Sequence, residues 1–264
     1  MENRNSIIIV LFAPAILVMA FAIFWSVTTP KTDSVSNPPL FHQEGHKVWA
    51  HRGYLIGDHE IAENSIEAYN NALTNGAKGI EIDIYFNVRD KQFLVSHDEP
   101  NTEKLTLDTV IAEFGNSSYY WLDFKNLQEL NQQETEEAAQ TLYEILEGAN
   151  IALSTLVESQ SAENLQPFQQ KGMHVSYWVF SHPDFSFLQY WKNIFSIRYT
   201  IYKYNIPAIS MDYRGFTPKF REFFPTMNYY LFTVNDEDVM HNLGAMPEVQ
   251  VILTDENFFG FEWQ

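Results

Sequence analysis

The stretch VWAHRGYLIGDHEIAENSIEAYNNALTNGAKGIEIDIYF, residues 48–86, decides how this chain is read. It opens with a short apolar run that ends in His51-Arg52-Gly53, and it closes with a run in which Glu81 and Asp83 alternate with isoleucines. Between them, Asn64-Ser65-Ile66-Glu67 punctuates a helix start and Gly76 a helix end. Charged side chains placed in apolar strands cost stability unless something pairs with them. The remainder of the chain has to supply that partner.

Outward from this stretch the same alternation continues. Short β-rich runs recur at KVWAHRG (47–53), GIEIDIYF (79–86), YYWLDFKN (119–126), STLVESQ (154–160), HVSYWVF (174–180), AISMDYRG (208–215), NYYLFTVN (228–235) and VQVILTD (249–255). Helical stretches lie between most of them. ETEEAAQTLYEILEGAN places Ala138, Leu142, Ile145 and Leu146 on one stripe and ends near Gly148. SAENLQPFQQKG starts with a serine cap and is shortened or bent by Pro167. PKFREFF and DEDVMHNL are shorter members, and residues 184–205 form the longest connection. Its aromatics between Phe185 and Tyr204 are expected mainly to pack against the body of the domain, with an apolar lip for lipid as the alternative. Eight strands alternating with helices fit an α/β fold of the (β/α)8 TIM-barrel type better than an open sheet.

The polar residues fall where such a barrel would use them. His51 and Arg52 end the first strand, and Glu81 and Asp83 share one face of the second. Asp123 and Lys125 end the third, Glu158 the fourth, Asp212 the sixth, Asn235 the seventh and Asp255 the eighth. The C-terminal ends of barrel strands build the active site. Glu81, Asp83 and Asp123 offer three carboxylates, and oxygen-only ligation suits a hard divalent cation, Mg²⁺ or Ca²⁺. His51 and His97 close apolar runs, and two imidazoles can serve as the acid and the base of a displacement at phosphorus. Arg52 and Lys125 suit a phosphoryl group or act as counter-ions for the acids.

Composition narrows the partners. Thirty-four acids against 16 bases give a formal charge of −18, which argues against nucleic acid and disfavours electrostatic docking on anionic headgroups. There is no cysteine, so disulfides, thiolate catalysis and Cys-based zinc sites are excluded. Residues 7–27 read IIIVLFAPAILVMAFAIFWSV without a charge, and roughly 20 apolar residues suffice to span a bilayer as a helix. Residues 1–27 are therefore expected to be a membrane anchor, or a signal peptide cleaved near Ala20-Phe21-Ala22. Residues 28–45, rich in proline, serine and threonine, read as a linker, and residues 46–264 as the exported barrel domain.

HRG at 51–53, ENSIEAY at 63–69, EID at 81–83, SHD at 96–98 and LDFK at 122–125 together resemble the glycerophosphodiester phosphodiesterases. VES at 157–159, ISMDYRG at 209–215, FTVN at 232–235 and ILTD at 252–255 extend the resemblance. It implies a metal-dependent barrel that releases glycerol 3-phosphate and an alcohol from glycerophosphodiesters. By position His51 and His97 match the family's catalytic histidines, and Glu81, Asp83 and Asp123 its metal ligands. Arg52, Lys125, Glu63, Glu158 and Asn235 are expected to bind the substrate. The resemblance also implies attack by a glycerol hydroxyl, a cyclic phosphate, and its opening by water.

Departures from the family pattern bear on the substrate. Ala62 and Ser65 stand where proline and threonine are usual, Phe232 where tryptophan is, and Asp123 where the third ligand is usually glutamate. Only 24 residues separate Asp98 from Asp123, where the family usually carries a small insertion over the substrate. A more open cleft is implied. The short loop and Asp123 also resemble the sphingomyelinase D branch, a phospholipase D-like alternative acting on membrane lipids. A barrel that has lost catalysis and only binds is the third reading, and the filled histidine and carboxylate positions argue against it.

Overall fold

The computed structural model describes residues 19, 21–28, 47–55, 61–100 and 105–260. Nine strands form one sheet: β1 (Val48–Ala50), β2 (Gly79–Asn87), β3 (Gln92–Val95), β4 (Tyr119–Phe124), β5 (Thr155–Ser159), β6 (His174–Trp178), β7 (Ala208–Asp212), β8 (Asn228–Phe232) and β9 (Val249–Thr254). All but β3 run parallel, and β1 pairs with both β2 and β9, so eight strands close into a barrel. Seven α-helices follow in turn: α1 (Ile66–Thr74), α2 (Leu107–Phe114), α3 (Gln132–Gly148), α4 (Gln166–Gln170), α5 (Phe187–Tyr204), α6 (Pro218–Phe223) and α7 (Glu237–Gly244).

Strand alternation sorts the side chains into two cores. One lies between strands and helices and includes Ile80, Ile82, Ile84, Leu122, Val157, Ile209 and Ile252. The other fills the barrel itself with Trp49, Trp121, Leu156, Ala208, Tyr230, Val251 and Leu253. Trp49 stacks on Tyr119 at 5.7 Å, and a Cβ on Gly79 would stand 2.2 Å from the Trp49 ring, so that interior has room only for glycine there. Each such buried aromatic is worth roughly 2–3 kcal/mol of transfer free energy.

The sequence reading holds for the eight barrel strands and for most helices. Ser65 caps α1 by accepting from Ala68 N, and Asn131 with Glu134 forms a capping box at α3. Four elements differ from expectation, the first being α2, which no sequence-read helix covers. SAENLQPFQQKG folds as a turn followed by the five-residue α4, with Pro167 in its first turn rather than inside a longer helix. The long connection 184–205 holds the 18-residue α5, opened by a Ser186–Gln189 capping box. The expected eight strands become nine because QFLV, residues 92–95, folds back on β2 as the antiparallel β3. Of the anchor or signal segment, residues 1–18 and 20 lie outside the described residues, as does most of the linker. Among the described residues no helix is long and apolar enough to cross a membrane.

Candidate active site

Register places the acids. Asp83 pairs with Asp123 across β2 and β4, and Asp123 with Glu158 across β4 and β5, so the three form one row on the inner face near the barrel mouth. Glu81 lies one layer deeper on the same face of β2. Ligand oxygens of Glu81, Asp83 and Asp123 lie within 4.8 Å of one another. Above them opens a cavity of about 360 Å³ lined by His51, Arg52, Glu81, His97, Asp123, Lys125 and Glu158. Trp121, Trp178, Phe232 and Leu253 supply its apolar wall, with Gln128, Gln160 and Thr233 at its edges. Asp83, fully buried, sits behind this lining.

Two cations hold the acidic row together. Arg52 Nε lies 2.9 Å from Asp83 Oδ2, and Lys125 Nζ lies 2.7 Å from Asp83 Oδ1 while also pairing with Asp123. Asn64 adds a donor at 2.8 Å to Asp83 Oδ2. Burial alone would raise the Asp83 carboxyl, but Lys125 and Arg52 outweigh it and hold the group below its ordinary value. Glu81 moves the other way: burial first, then the Asp83 and Asp123 charges, push it well above the usual carboxylate range. Burial likewise raises Asp123 and Glu158, the latter with an Oε2 that has no hydrogen-bond partner. The Arg52-Gly53 turn positions these groups. Arg52 is left-handed, at φ 54, and its N–H donates to Glu81 Oε2 at 2.9 Å. Gly53, at φ 94, packs so close to α1 that a Cβ would meet Ala68 at 2.6 Å.

The histidines reach the mouth on different supports. His51 follows β1 directly, and its Nδ1 lies 2.8 Å from Asp255 Oδ1 at the end of β9. Asp255 Oδ2 accepts from Asn235 at 2.7 Å. Burial would raise Asp255, yet hydrogen bonds from His51 and Asn235 keep it below its ordinary value. An ionised carboxylate only accepts, so Nδ1 carries the proton and Nε2 is the free nitrogen. His97 follows β3, half exposed, with Nδ1 2.9 Å from Asp98 Oδ1. Here β2 overshoots the barrel, and its last residues pair with β3 instead of β4. The buried Asn126 replaces the missing strand partner, accepting from Phe86 N at 2.9 Å and donating to Phe86 O at 3.1 Å.

Of the residues expected to bind substrate, Arg52, Lys125 and Glu158 line the cavity, whereas Glu63 and Asn235 do not. Glu63 pairs with Arg52 at 3.1 Å, and Asn235 braces Asp255 through its side chain and accepts from Asp255 N at 2.9 Å. Glu63 stands behind Arg52, which lines the cavity, and Asn235 behind Asp255, which in turn holds the lining residue His51. Sequence reasoning passed over Asn64, Asn126, Trp121 and Trp178; of the aromatic wall it singled out only Phe232, as a departure from the family pattern. Asn64 had a signal, its place beside Glu63 in the motif. Trp121 and Trp178 had none, since aromatics in strands are ordinarily core.

The model of the glycerophosphoryl diester phosphodiesterase family matches residues 51–197. No curated protein sequence matches. Solved structures with the same fold include a glycerophosphodiester phosphodiesterase from Parabacteroides distasonis (21% identity, 81% of this chain and 94% of that one, TM-score 0.58). One from Thermotoga maritima has 20% identity, covering 82% and 97%, with TM-score 0.58. An Oleispira antarctica phosphodiesterase in complex with its product sn-glycerol-3-phosphate has 17% identity, covering 79% and 92%, with TM-score 0.59. At these identities the structures establish the barrel, and the family model, which spans more than half the chain, establishes kinship. The chain belongs to the glycerophosphoryl diester phosphodiesterase family and is a phosphodiester-hydrolysing enzyme.

Proposed function

We propose that this enzyme releases glycerol 3-phosphate and an alcohol from glycerophosphodiesters, with His51 and His97 as its acid–base pair. One divalent cation, Mg²⁺ or Ca²⁺, is held by Glu81, Asp83 and Asp123. The carrying observation is the meeting of three carboxylate oxygens within 4.8 Å beneath a cavity that both histidines line. The donor set fits such an ion: among the described residues four buried or half-buried carboxylates, Glu81, Asp83, Asp123 and Glu158, meet two cations, Arg52 and Lys125, and burial lifts Glu81 and Glu158 towards their neutral forms, so ionising the whole set calls for further positive charge. When bound, the cation supplies charge neutralisation to the phosphoryl oxygens and the attacking hydroxyl.

The chain's own residues divide the remaining work. Arg52 and Lys125 orient the phosphoryl group. His51, its Nε2 free to accept, takes the proton of the attacking glycerol hydroxyl. His97 delivers a proton to the leaving alcohol oxygen as its bond to phosphorus breaks, leaving the cyclic phosphate that the family resemblance implies. Water then opens the ring: His97 takes a proton from water, and His51 returns one to the glycerol oxygen. Glu63 and Asn235 act from behind, through Arg52 and Asp255. The apolar residues 7–27 support an anchored, extracytoplasmic barrel over 46–264, joined by the linker 28–45.

The test uses the full chain in detergent, stripped of metal, assayed on glycerophosphocholine and lysophosphatidylcholine with Mg²⁺, Ca²⁺ or EDTA. Glycerol 3-phosphate release should require metal and fall about 10²- to 10⁴-fold in His51→Ala and Glu81→Ala. Choline release from the lyso lipid alone would replace this reading with the phospholipase D-like one.

A further inference from the structure

Nine of the eleven large apolar side chains exposed among the described residues fall in two stretches, 19–27 and 180–202. Scattered exposed hydrophobics are ordinary, but a contiguous patch marks an interaction surface. The two stretches are one patch. Phe21 stacks on Trp25 at 5.7 Å, both meet Phe195 of α5 edge-on, and Trp25 meets Phe223 of α6 at 5.4 Å. Arg198, buried in α5, fastens this junction: its guanidinium lies 4.0 Å from the Trp25 ring centre, and its Nε donates to Thr28 Oγ1 at 2.9 Å.

The exposed stripe of α5 is chemically distinctive. Leu188, Tyr199 and Tyr202 recur at helical spacing, Tyr199 and Tyr202 each about half exposed and Leu188 at 78%, and Phe195 between them, partly buried, is where Phe21 and Trp25 dock. Its 18 residues carry Lys192, Arg198 and Lys203 and not one acid, in a chain whose formal charge is −18. Such a helix, about 27 Å long, combines aromatic and aliphatic side chains with lysines, as helices lying in a membrane interface do. The segment that reaches its flank is the end of a charge-free run, residues 7–27, long enough to enter the hydrocarbon core.

We propose that the outer face of α5, together with residues 19–27, is a seat on the bilayer interface. The barrel rests on its flank there, with α5 near the membrane plane and Lys192 and Lys203 among the headgroups. A bilayer is the occupant because the patch is continuous with the membrane-length apolar run and because the charges on α5 itself are cationic only, the one acid of the stretch, Asp184, lying before the helix. This inference rests on the anchored reading above.

The absence of cysteine makes the test direct. Full-length Leu188→Cys, Tyr199→Cys and Leu153→Cys, the last on the exposed turn before β5, are spin-labelled and reconstituted into phosphatidylcholine–phosphatidylglycerol vesicles. Labels at 188 and 199 are expected about 5–10 Å below the headgroup boundary, by oxygen against nickel-chelate accessibility, and the label at 153 in water. Lys192→Glu with Lys203→Glu should lift both labels towards water while the protein stays with the vesicles. Labels at 188 and 199 as aqueous as at 153, in protein that floats with the vesicles, would overturn the seat and leave the anchor standing. Protein that does not float would overturn both. Spin–spin broadening at 188 in detergent would assign the patch to a second copy of the chain instead.

Discussion

Asp83 is the most constrained side chain of the site: fully buried, it meets Arg52 and Lys125 on opposite oxygens and Asn64 besides. Its ionised form is thereby secured, while Glu81, two residues away, forms no ion pair among the described residues. A bound ion would find one carboxylate already ordered and another in need of charge. Asp255 does comparable work for His51. Asp255→Asn should leave the barrel folded and lower kcat by at least about 10-fold, because an amide can stabilise the wrong ring tautomer, with KM for the diester little changed; steady-state kinetics read the split. The pH consequence has a definite sign. The folded Asp255 carboxyl lies below its ordinary 3.8, so the stability it contributes is complete above that value and is lost as pH falls through the folded one. At neutral pH His51 keeps its brace. The sequence disclosed these residues because charge in an apolar strand stands out. It hid Asn126, whose polarity at a strand end reads as an ordinary turn.

Among elements, β2 has the most unusual task. Nine residues long, it spends its first part in the barrel and its last part on the hairpin that carries His97. Asn126 bridges the change of partner with two hydrogen bonds to Phe86. Asn126→Ala would leave both Phe86 backbone groups unpaired, and a buried orphaned group costs about 1–3 kcal/mol. Urea unfolding should show that loss, and faster amide exchange across residues 84–95 should locate it. The barrel strands were legible because their apolar alternation repeats eight times. β3 was not, because QFLV is too short to declare a direction, and its pairing depends on where β2 outruns β4. The α5 helix was obscured by its aromatics, which satisfy strand and helix patterns alike. Their partial exposure is set by tertiary packing and leaves no trace in spacing.

For the whole molecule, the acidic cluster links folding to cation binding. A ligand that binds only the folded state stabilises it by about 2.7 kcal/mol at a hundred times its Kd. In a domain of this size each kcal/mol moves Tm by about 2–4 °C. Thermal unfolding with and without millimolar Mg²⁺ or Ca²⁺ should therefore show a rise of several degrees that Glu81→Gln abolishes. No rise in the wild-type chain with either ion would remove the cation from the site.

The barrel closes at β1, only three residues long, which meets β2 at one register position and β9 at three. The hydrogen bond from His51 to Asp255 crosses that same seam. During synthesis β1 has to wait for almost two hundred residues before its principal neighbour exists. The His51–Asp255 pair is thus a closing rivet: no partly made chain can carry it, and the proposed hydrolysis begins only when the last strand has arrived.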